Sequence, residues 1–449
     1  MANWLTNLFS YDAVDTRNRR RSKAVNLGTE DKLLNKTKRR RLVSGTRDLQ
    51  RNFTVAAWAI RKHLCYTTTF EFQCRTGDKQ LDDRIEQLIE WYARPFNCDV
   101  TGRHSLYSLI RMAENRALVD GDVFLLKLSD GKLQAIEGDR VQTPVSNLPS
   151  NFNPERWIHG VQITPSGKPV AYAVCDRDRH AKSIVPTQFI FELGYYDRFD
   201  QVRGVSPLAA AVNQFQDLYE CAEYALAKAK VSQLFGLKFT RAGDEILDGS
   251  DGSDTSYDFG SGPVVLDLPA GDDAEFLESR TPSTEFASYC QAMTQAALKS
   301  LDIPYSFFSE NFTNYSGARQ ALLQYEQSAA ARRREIVRLL NNITIWRLQL
   351  FVQDGILELP RGMTVGDLPF EWIGCALPWI DPQKEANAEI ALVNASLASR
   401  QDICKQHGKD WWTVVEKLAQ EQRYMSELGI AATTDPLPII NEDEADEEQ

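Results

Sequence analysis

The stretch Ile303-Pro-Tyr-Ser-Phe-Phe-Ser-Glu-Asn-Phe-Thr-Asn-Tyr-Ser-Gly317 and the run behind it, as far as Phe351, decide the fold. The first part is rich in Asn, Ser and aromatics and reads as a loop. The second predicts a helix of roughly 35 residues, three times the usual length. Ala318, Leu322, Tyr325, Ala329, Ile336, Leu340 and Ile343 recur at threes, fours and sevens, as one helix face requires. Neither Pro nor Gly interrupts the run before Gly355. At 1.5 Å per residue such a helix is about 50 Å long, and it is too polar to span a bilayer. It suits a strut in a large assembly better than an element of a small enzyme.

Arg332, Arg333 and Arg334 sit in the middle of this helix. Successive residues point about 100° apart, so the three cannot all face solvent on a packed helix. Two readings stand: an exposed face paired with Glu326 and Glu335, or contacts to acids of a neighbouring copy or to DNA.

Working outward, residues 46–65 predict a helix with Leu49, Phe53, Ala57 and Ile60 on one face, and residues 67–74 a strand. Residues 82–92 and 105–120 read as helices. Two hairpins follow, 123–128 with 133–136 around Asp130-Gly131, and 160–164 with 169–175 around Ser166-Gly167. Residues 184–193 add a strand. An Ala-rich helix spans 206–233, with Pro207 in its first turn and Leu208, Val212, Phe215, Leu218, Ala222 and Ala225 as its buried stripe. Strands at 235–240 and 264–268 flank a Gly/Asp/Ser loop at 243–262. A second Ala-rich helix covers 284–301, capped by Ser283 or Thr284. Short strands occupy 360–379, and helices joined at Gly408 occupy 382–399 and 411–428.

Four segments in this order resemble the portal proteins of tailed bacteriophages, the lambda-type family. They are Arg47-Asp-Leu-Gln-Arg-Asn52, Arg203-Gly-Val-Ser-Pro-Leu208, Leu301-Asp-Ile-Pro304 leading to Tyr315-Ser-Gly-Ala-Arg319, and Trp379-Ile-Asp-Pro-Gln-Lys-Glu-Ala386. The resemblance covers roughly residues 40–430 and implies an α+β subunit of a ring. Its parts would be a basic N-terminal arm (1–45), an α/β wing (46–205), stem helices (206–233 and 283–302) and a small β-rich clip (234–282). A tunnel loop (303–316), a long kinked helix with further wing strands (317–380), a helical crown (381–430) and an acidic tail (431–449) would complete it. The resemblance implies a homo-oligomeric ring, dodecameric in the family, with double-stranded DNA in its channel. Terminase large subunit, head-completion or tail adaptor proteins and the major capsid or scaffold protein would be its partners in a virion assembled in the host cytoplasm. It places Asn311, Phe312, Thr313, Asn314, Tyr315 and Ser316 at the channel constriction, where uncharged donors bind phosphate weakly and without sequence preference. The alternative reading is that Phe312 and Tyr315 only anchor the start of the long helix, with Ser316 as its cap; the two readings are compatible. Arg319, Arg332, Arg333, Arg334, Lys228 and Lys230 are candidate contacts to other subunits or to DNA.

Composition sets the bounds. The 449 residues suffice for about three domains, with 43% hydrophobic and 25% charged residues. No run of 18 apolar residues exists, so no membrane span is expected. The start, Met1-Ala-Asn-Trp-Leu-Thr-Asn-Leu-Phe9, lacks the cationic flank and long apolar core of a signal peptide. Eight scattered cysteines without a Cys-x-x-Cys read as buried thiols. Net charge is −11 but uneven. Residues 17–41 hold eleven bases against Glu30 and Asp31, and after Arg423 no base appears while seven acids follow from Asp435. Such ends are usually interaction arms or solvated tails. The overall acidity argues against a tight grip on DNA along the whole chain.

Catalytic signatures are lacking. Gly160-Val-Gln-Ile-Thr-Pro-Ser-Gly-Lys168 has six residues between its glycines where a phosphate loop has four, and Pro169 stands where that loop needs Ser or Thr. Asp248, Asp251 and Asp254 lack EF-hand spacing, and the five histidines are scattered. No cofactor, metal or catalysis is expected. A DNA enzyme would need clustered carboxylates. A helical scaffold without DNA passage remains the alternative.

Overall fold

A computed structural model describes residues 28–146, 153, 156–176, 178, 180–233, 237–241, 272–276, 284–310, 315–374 and 381–429. Contacts divide the chain into two units, Met1–Asn213 with Gln295–Gln449, and Gln214–Thr294.

The larger unit opens with α1 (Glu30–Leu33), α2 (Lys36–Asn52) and α3 (Thr54–Thr67), then β1 (Phe70–Cys74), α4 (Lys79–Tyr92), α5 (Pro95–Cys98) and α6 (Leu106–Asp120). The single helix expected over 46–65 is two. Phe53 takes extended angles, φ −111 and ψ 108, and turns the chain between α2 and α3. Nor does the folded part begin at residue 46. Asn35 caps α2 through its side chain, and Leu42, Thr46 and Leu49 are buried, so the bases from Lys36 to Arg41 belong to a packed helix.

Next come β2 (Asp122–Lys127), β3 (Leu133–Glu137), β4 (Trp157–Ile158), β5 (Val161–Ile163), β6 (Pro169–Cys175), β7 (Ala181–Pro186) and β8 (Ile190–Gly194). Both hairpins form around the Gly turns. The strand expected at 184–193 is split by a 3-10 turn at Thr187–Phe189, and its halves enter different antiparallel sheets. One sheet has the order β3-β2-β8 and the other β4-β5-β6-β7. Phe124 pairs with Ile136 on one side and Glu192 on the other. Phe124, Ile136, Val161, Tyr172, Val174 and Ile190 form one core joining both sheets.

The helix expected from residue 206 starts later. Pro207–Ala210 is a 3-10 turn capped by the Ser206 side chain, and α7 (Val212–Gln233) follows. The smaller unit holds most of α7, the antiparallel pair β9 (Leu237–Arg241) and β10 (Asp272–Phe276), and the first part of α8 (Thr284–Leu298). The expected strand at 264–268, the loop at 243–262 and Ser283 lie outside the described residues.

Back in the larger unit are α9 (Tyr305–Ser309), α10 (Tyr315–Gln353), β11 (Phe370–Gly374), α11 (Pro382–Asn394), α12 (Arg400–Gln406) and α13 (Trp411–Glu427). β11 returns to pair with β1, Phe72 opposite Trp372. α12 interrupts the expected connection between the last two helices, fixed by a capping box of Ser399 and Asp402. α10 runs for 39 residues without a break, about 58 Å at 1.5 Å per residue. Leu322, Tyr325, Ala329, Ile336, Leu340 and Ile343 of its predicted stripe are all buried. Ile336 to Phe351 share the largest core with α4, α6, β2, β8 and β11. Fully burying one such side chain contributes about 1.5–3 kcal/mol, so this half of α10 is the mast on which the larger unit is packed.

Candidate functional site

Three polar constructions inside the larger unit fix its geometry, and motif residues build two of them. Asp122, at the start of β2, is fully buried. Arg203 donates from Nε and Nη2 to its two oxygens, both at 2.7 Å. The remaining donors of Arg203 reach the carbonyls of Gly138, Val141 and His159, so all five are used. Arg39 adds a 3.1 Å contact to Asp122, and the Gly204 amide adds one of 2.8 Å. Burial opposes the charged Asp122, but Arg203 and Arg39 outweigh it and hold its pKa below the ordinary value. Gly204 is required beside it. A Cβ there would stand 2.0 Å from the carbonyl oxygen of Gly121, itself at φ +100.

Arg47 is the second. It donates to Asp120 at 2.8 and 2.6 Å and reaches Glu137 at 3.0 Å and Asp139 at 3.1 Å, which pins α2 to the end of α6 and to β3. Its pKa is pushed up, chiefly by the hydrogen bond to Asp120.

The third lies under α10. Glu114 of α6 is fully buried and accepts from Arg332 Nε at 2.9 and 3.0 Å and Nη2 at 2.7 Å. Tyr195 donates to Glu114 at 2.6 Å, His63 stands 3.3 Å away, and Tyr325 lies 3.3 Å from the other His63 nitrogen. Burial works against the Glu114 carboxylate, yet Arg332 and His63 outweigh it and lower its pKa to about 2. The Arg332 guanidinium also covers the Tyr195 ring at 3.8 Å.

The run of three arginines is therefore divided by the helix turn. Arg332 was a candidate contact to DNA or a neighbour; it is instead buried and spent on its own chain, because the 100° step carries it onto the stripe. Arg333 pairs with Glu326 and donates to the Tyr66 carbonyl at 2.8 Å. Arg334 is exposed. Glu335 binds Arg338 at 2.7 Å and not one of the three.

The loop at the head of α10 has a built mount. α9 occupies part of the expected loop, and α10 already begins at Tyr315, so Tyr315 and Ser316 are helical and not loop residues. Asn311, Phe312, Thr313 and Asn314 lie outside the described residues. On the near side, Phe307 stacks on Tyr66 of α3 with centroids 6.2 Å apart and meets Tyr325 edge-on at 5.6 Å. Phe308 meets Trp58 edge-on at 5.6 Å, and the Lys62 ammonium lies 5.7 Å from the Phe307 ring. Glu310 closes α9 in the left-handed region, φ 52. Ser328 of α10 binds Asp302 at 2.9 Å. Sequence reasoning missed Phe307 and Phe308; their i, i+1 placement before an Asn-rich loop gives no periodic signal, and Trp58 and Tyr66 lie far away in the chain. On the far side, Arg319 binds Glu385 at 2.8 Å and ties the first turns of α10 to α11. Lys228 and Lys230 are exposed on α7 in the other unit. Along α10, Arg319, Arg332, Arg333 and Arg334 therefore do not share one partner.

Among the described residues no group of three or more His, Cys, Asp or Glu could hold a metal ion, and no helix is long and apolar enough to cross a membrane.

The sequence matches the family described as phage portal protein, lambda family, over residues 16–333. It is 24% identical over 384 residues to a probable portal protein of Halomonas phage phiHAP-1, covering 79% of this chain and 73% of that one. Two solved structures share the fold. A chain of the virion of a native gene transfer agent particle aligns with a TM-score of 0.50 at 14% identity, over 82% of this chain and 93% of that one. A chain from the neck of an empty gene transfer agent particle, computed with C6 symmetry, gives 0.50 at 13% identity over 81% and 93%.

Proposed function

We propose, because the chain belongs to the lambda family of phage portal proteins, that it forms a closed ring at one vertex of a phage capsid and that double-stranded DNA passes through the ring's centre. A ring needs each copy to present one face to a complementary face of the next, and the family points to twelve copies. The loop 311–314 stands at the constriction, and its Asn and Thr side chains touch phosphate without charge, so DNA slides. Terminase, and later head-completion proteins, dock on residues 234–282; capsid or scaffold protein surrounds the ring in the virion. No catalytic step belongs to this chain.

The observation that supports the loop assignment most strongly is the aromatic mount: a loop that must hold a fixed radius needs a rigid base, and Phe307 and Phe308 are clamped by Trp58, Tyr66 and Tyr325. Electron microscopy of purified protein tests the reading. Rings with a central hole are expected, and compact monomers at packaging concentrations would overturn it. In the same experiment Phe307→Ala should still give rings but blur density at the constriction, while DNA retention falls. Retention and density equal to wild type would remove the loop from the mechanism.

A further inference from the structure

The larger unit carries a cleft of about 1190 Å³ that the portal reading leaves without a role. α2 lines one side, and β3 with the chain after it, β6 and β7 line the other. Its rim holds eight bases, Lys36, Arg39, Arg40, Arg47, Arg51, Arg140, Lys182 and Arg203, against the acids Asp31, Glu137, Asp139 and Asp176. Arg39, Arg47 and Arg203 are matched by Asp120 and Asp122, and Glu137 and Asp139 are taken by Arg47. Arg40, Arg51 and Lys182 are exposed and have no partner among the described residues. Val43, Leu126, Ile136, Val141, Trp157 and Val174 give the cleft apolar lining. β3 lines it as an edge strand: Leu133 is bridged to Asp99 on its outer side, but among the described residues only β2 pairs with residues 134–137, so one side of that stretch is open. An edge strand with open N–H and C=O groups beside apolar lining and unmatched cations is built for an extended acidic peptide.

The C-terminal end of the chain is such a peptide. Residues 435–449 read Asp-Pro-Leu-Pro-Ile-Ile-Asn-Glu-Asp-Glu-Ala-Asp-Glu-Glu-Gln, with seven acids and no base. Pro436 and Pro438 favour extended backbone for the residues before them. Leu437 and Ile439 alternate at the spacing of a strand, and six acids follow between residues 442 and 448. The apolar pair matches the lining, and the acids match Arg40, Arg51 and Lys182. The other end of the chain does not fit, since residues 17–27 bring five bases and no acid. A nucleic acid would supply phosphates but neither apolar side chains nor a backbone to pair with β3.

We propose that this cleft is the seat of the polypeptide's own acidic C-terminal segment, residues 435–449, docked along β3.

Hydrogen exchange on the full chain tests this, comparing wild type with a variant in which E442Q, D443N, E444Q, D446N, E447Q and E448Q are combined, which leaves every lining residue of the cleft unaltered. The amides of residues 134–137 should exchange at least about tenfold faster in the variant, as expected when a bound segment is released. R40E/R51E should do the same, and raising salt should reproduce both effects in wild type. A synthetic peptide of residues 435–449 added to the tail variant should restore protection. Equal exchange in wild type and variant overturns the proposal. So does protection of residues 134–137 by a short DNA duplex with none from the peptide, which would make the cleft a nucleic-acid site.

Discussion

Two long helices of this chain, α10 and α7, carry similar apolar stripes and meet opposite fates. On α10, Tyr325, Ala329, Ile336, Leu340 and Ile343 are all buried by the chain itself. On α7 full burial ends at Phe215: of its predicted stripe Leu218 and Ala225 are half-buried and Ala222 is exposed, and beside the stripe Tyr219, Tyr224 and Leu226 are 47%, 71% and 56% exposed. Single exposed apolar residues are ordinary, but several along one helix mark a surface built to be covered. One helix is covered by its own chain, and the other keeps large apolar side chains exposed among the described residues. The portal reading explains the difference, since a ring subunit needs a self-sufficient unit that fixes its shape and a second region completed by neighbours. The comparison also separates what mutations should do: changes along α10 should strike the chain, and changes along α7 the assembly.

The largest effect is expected at Arg332. Replacing it by Ala leaves the Glu114 carboxylate buried without its cation, which costs about 3–5 kcal/mol. Urea denaturation of unassembled protein should show a loss of unfolding free energy of that size, at the edge of what a domain tolerates. A loss below about 1 kcal/mol would mean that the network under α10 is ornamental and that the two helices do not differ as described.

Acid should sharpen the same contrast. The folded pKa of Glu114 is lowered from the usual 4.5 to about 2. Its contribution is therefore complete above pH 4.5 and is lost as pH falls through about 2. At 1.36 kcal/mol per unit it amounts to about 3 kcal/mol. Stability measured between pH 5 and 2.5 should fall more steeply in wild type than in Glu114→Gln, which has no proton to take up. His159 acts in the same direction over a different range. Burial and the nearby Arg39 and Arg203 lower its pKa to about 4, so its contribution is present above the usual 6.5 and is lost as pH falls through 4. Asp31 opposes it. Burial and then Asp200 raise its pKa to about 6, so that share is present below 3.8 and is lost as pH rises through 6. The two side chains stand 3.7 Å apart. Parallel slopes for wild type and Glu114→Gln would count against the Glu114 assignment.

Much of this architecture was legible in the sequence, and the failures share a cause. Period and turn chemistry located α10, both hairpins, α4 and α6, because apolar spacing and Gly turns are local signals. The break at Phe53 and the division of 184–193 between two sheets were not legible, because each depends on partners far away in the chain. The arginine run shows the limit most clearly. Geometry alone said that the three side chains must diverge, yet only Glu114, 218 residues away from Arg332, decides which of them is buried. Likewise Arg203 and Arg47 were visible as motif residues, while their partners Asp122 and Asp120 gave no signal, since a carboxylate at a strand or helix end reads as a solvated turn.

The smallest effect on the chain, and the most telling for function, is expected on α7. Tyr224→Ser and Leu226→Asp alter side chains that are 71% and 56% exposed in the single chain. Surface substitutions of this kind usually change stability by no more than about 0.5 kcal/mol, so urea midpoints should stay with wild type. Assembly should respond quite differently. At a ring contact each lost apolar side chain recurs in every copy, and Leu226→Asp adds a charge that must be desolvated at each interface. Analytical ultracentrifugation should then show monomers or partial rings at concentrations where wild type gives closed ones, with Leu226→Asp worse than Tyr224→Ser. If both variants close into rings as readily as wild type, the exposed stretch of α7 is not the face that neighbours cover. If instead both lose chain stability by several kcal/mol, α7 is finished by its own chain after all, and the contrast with α10 disappears.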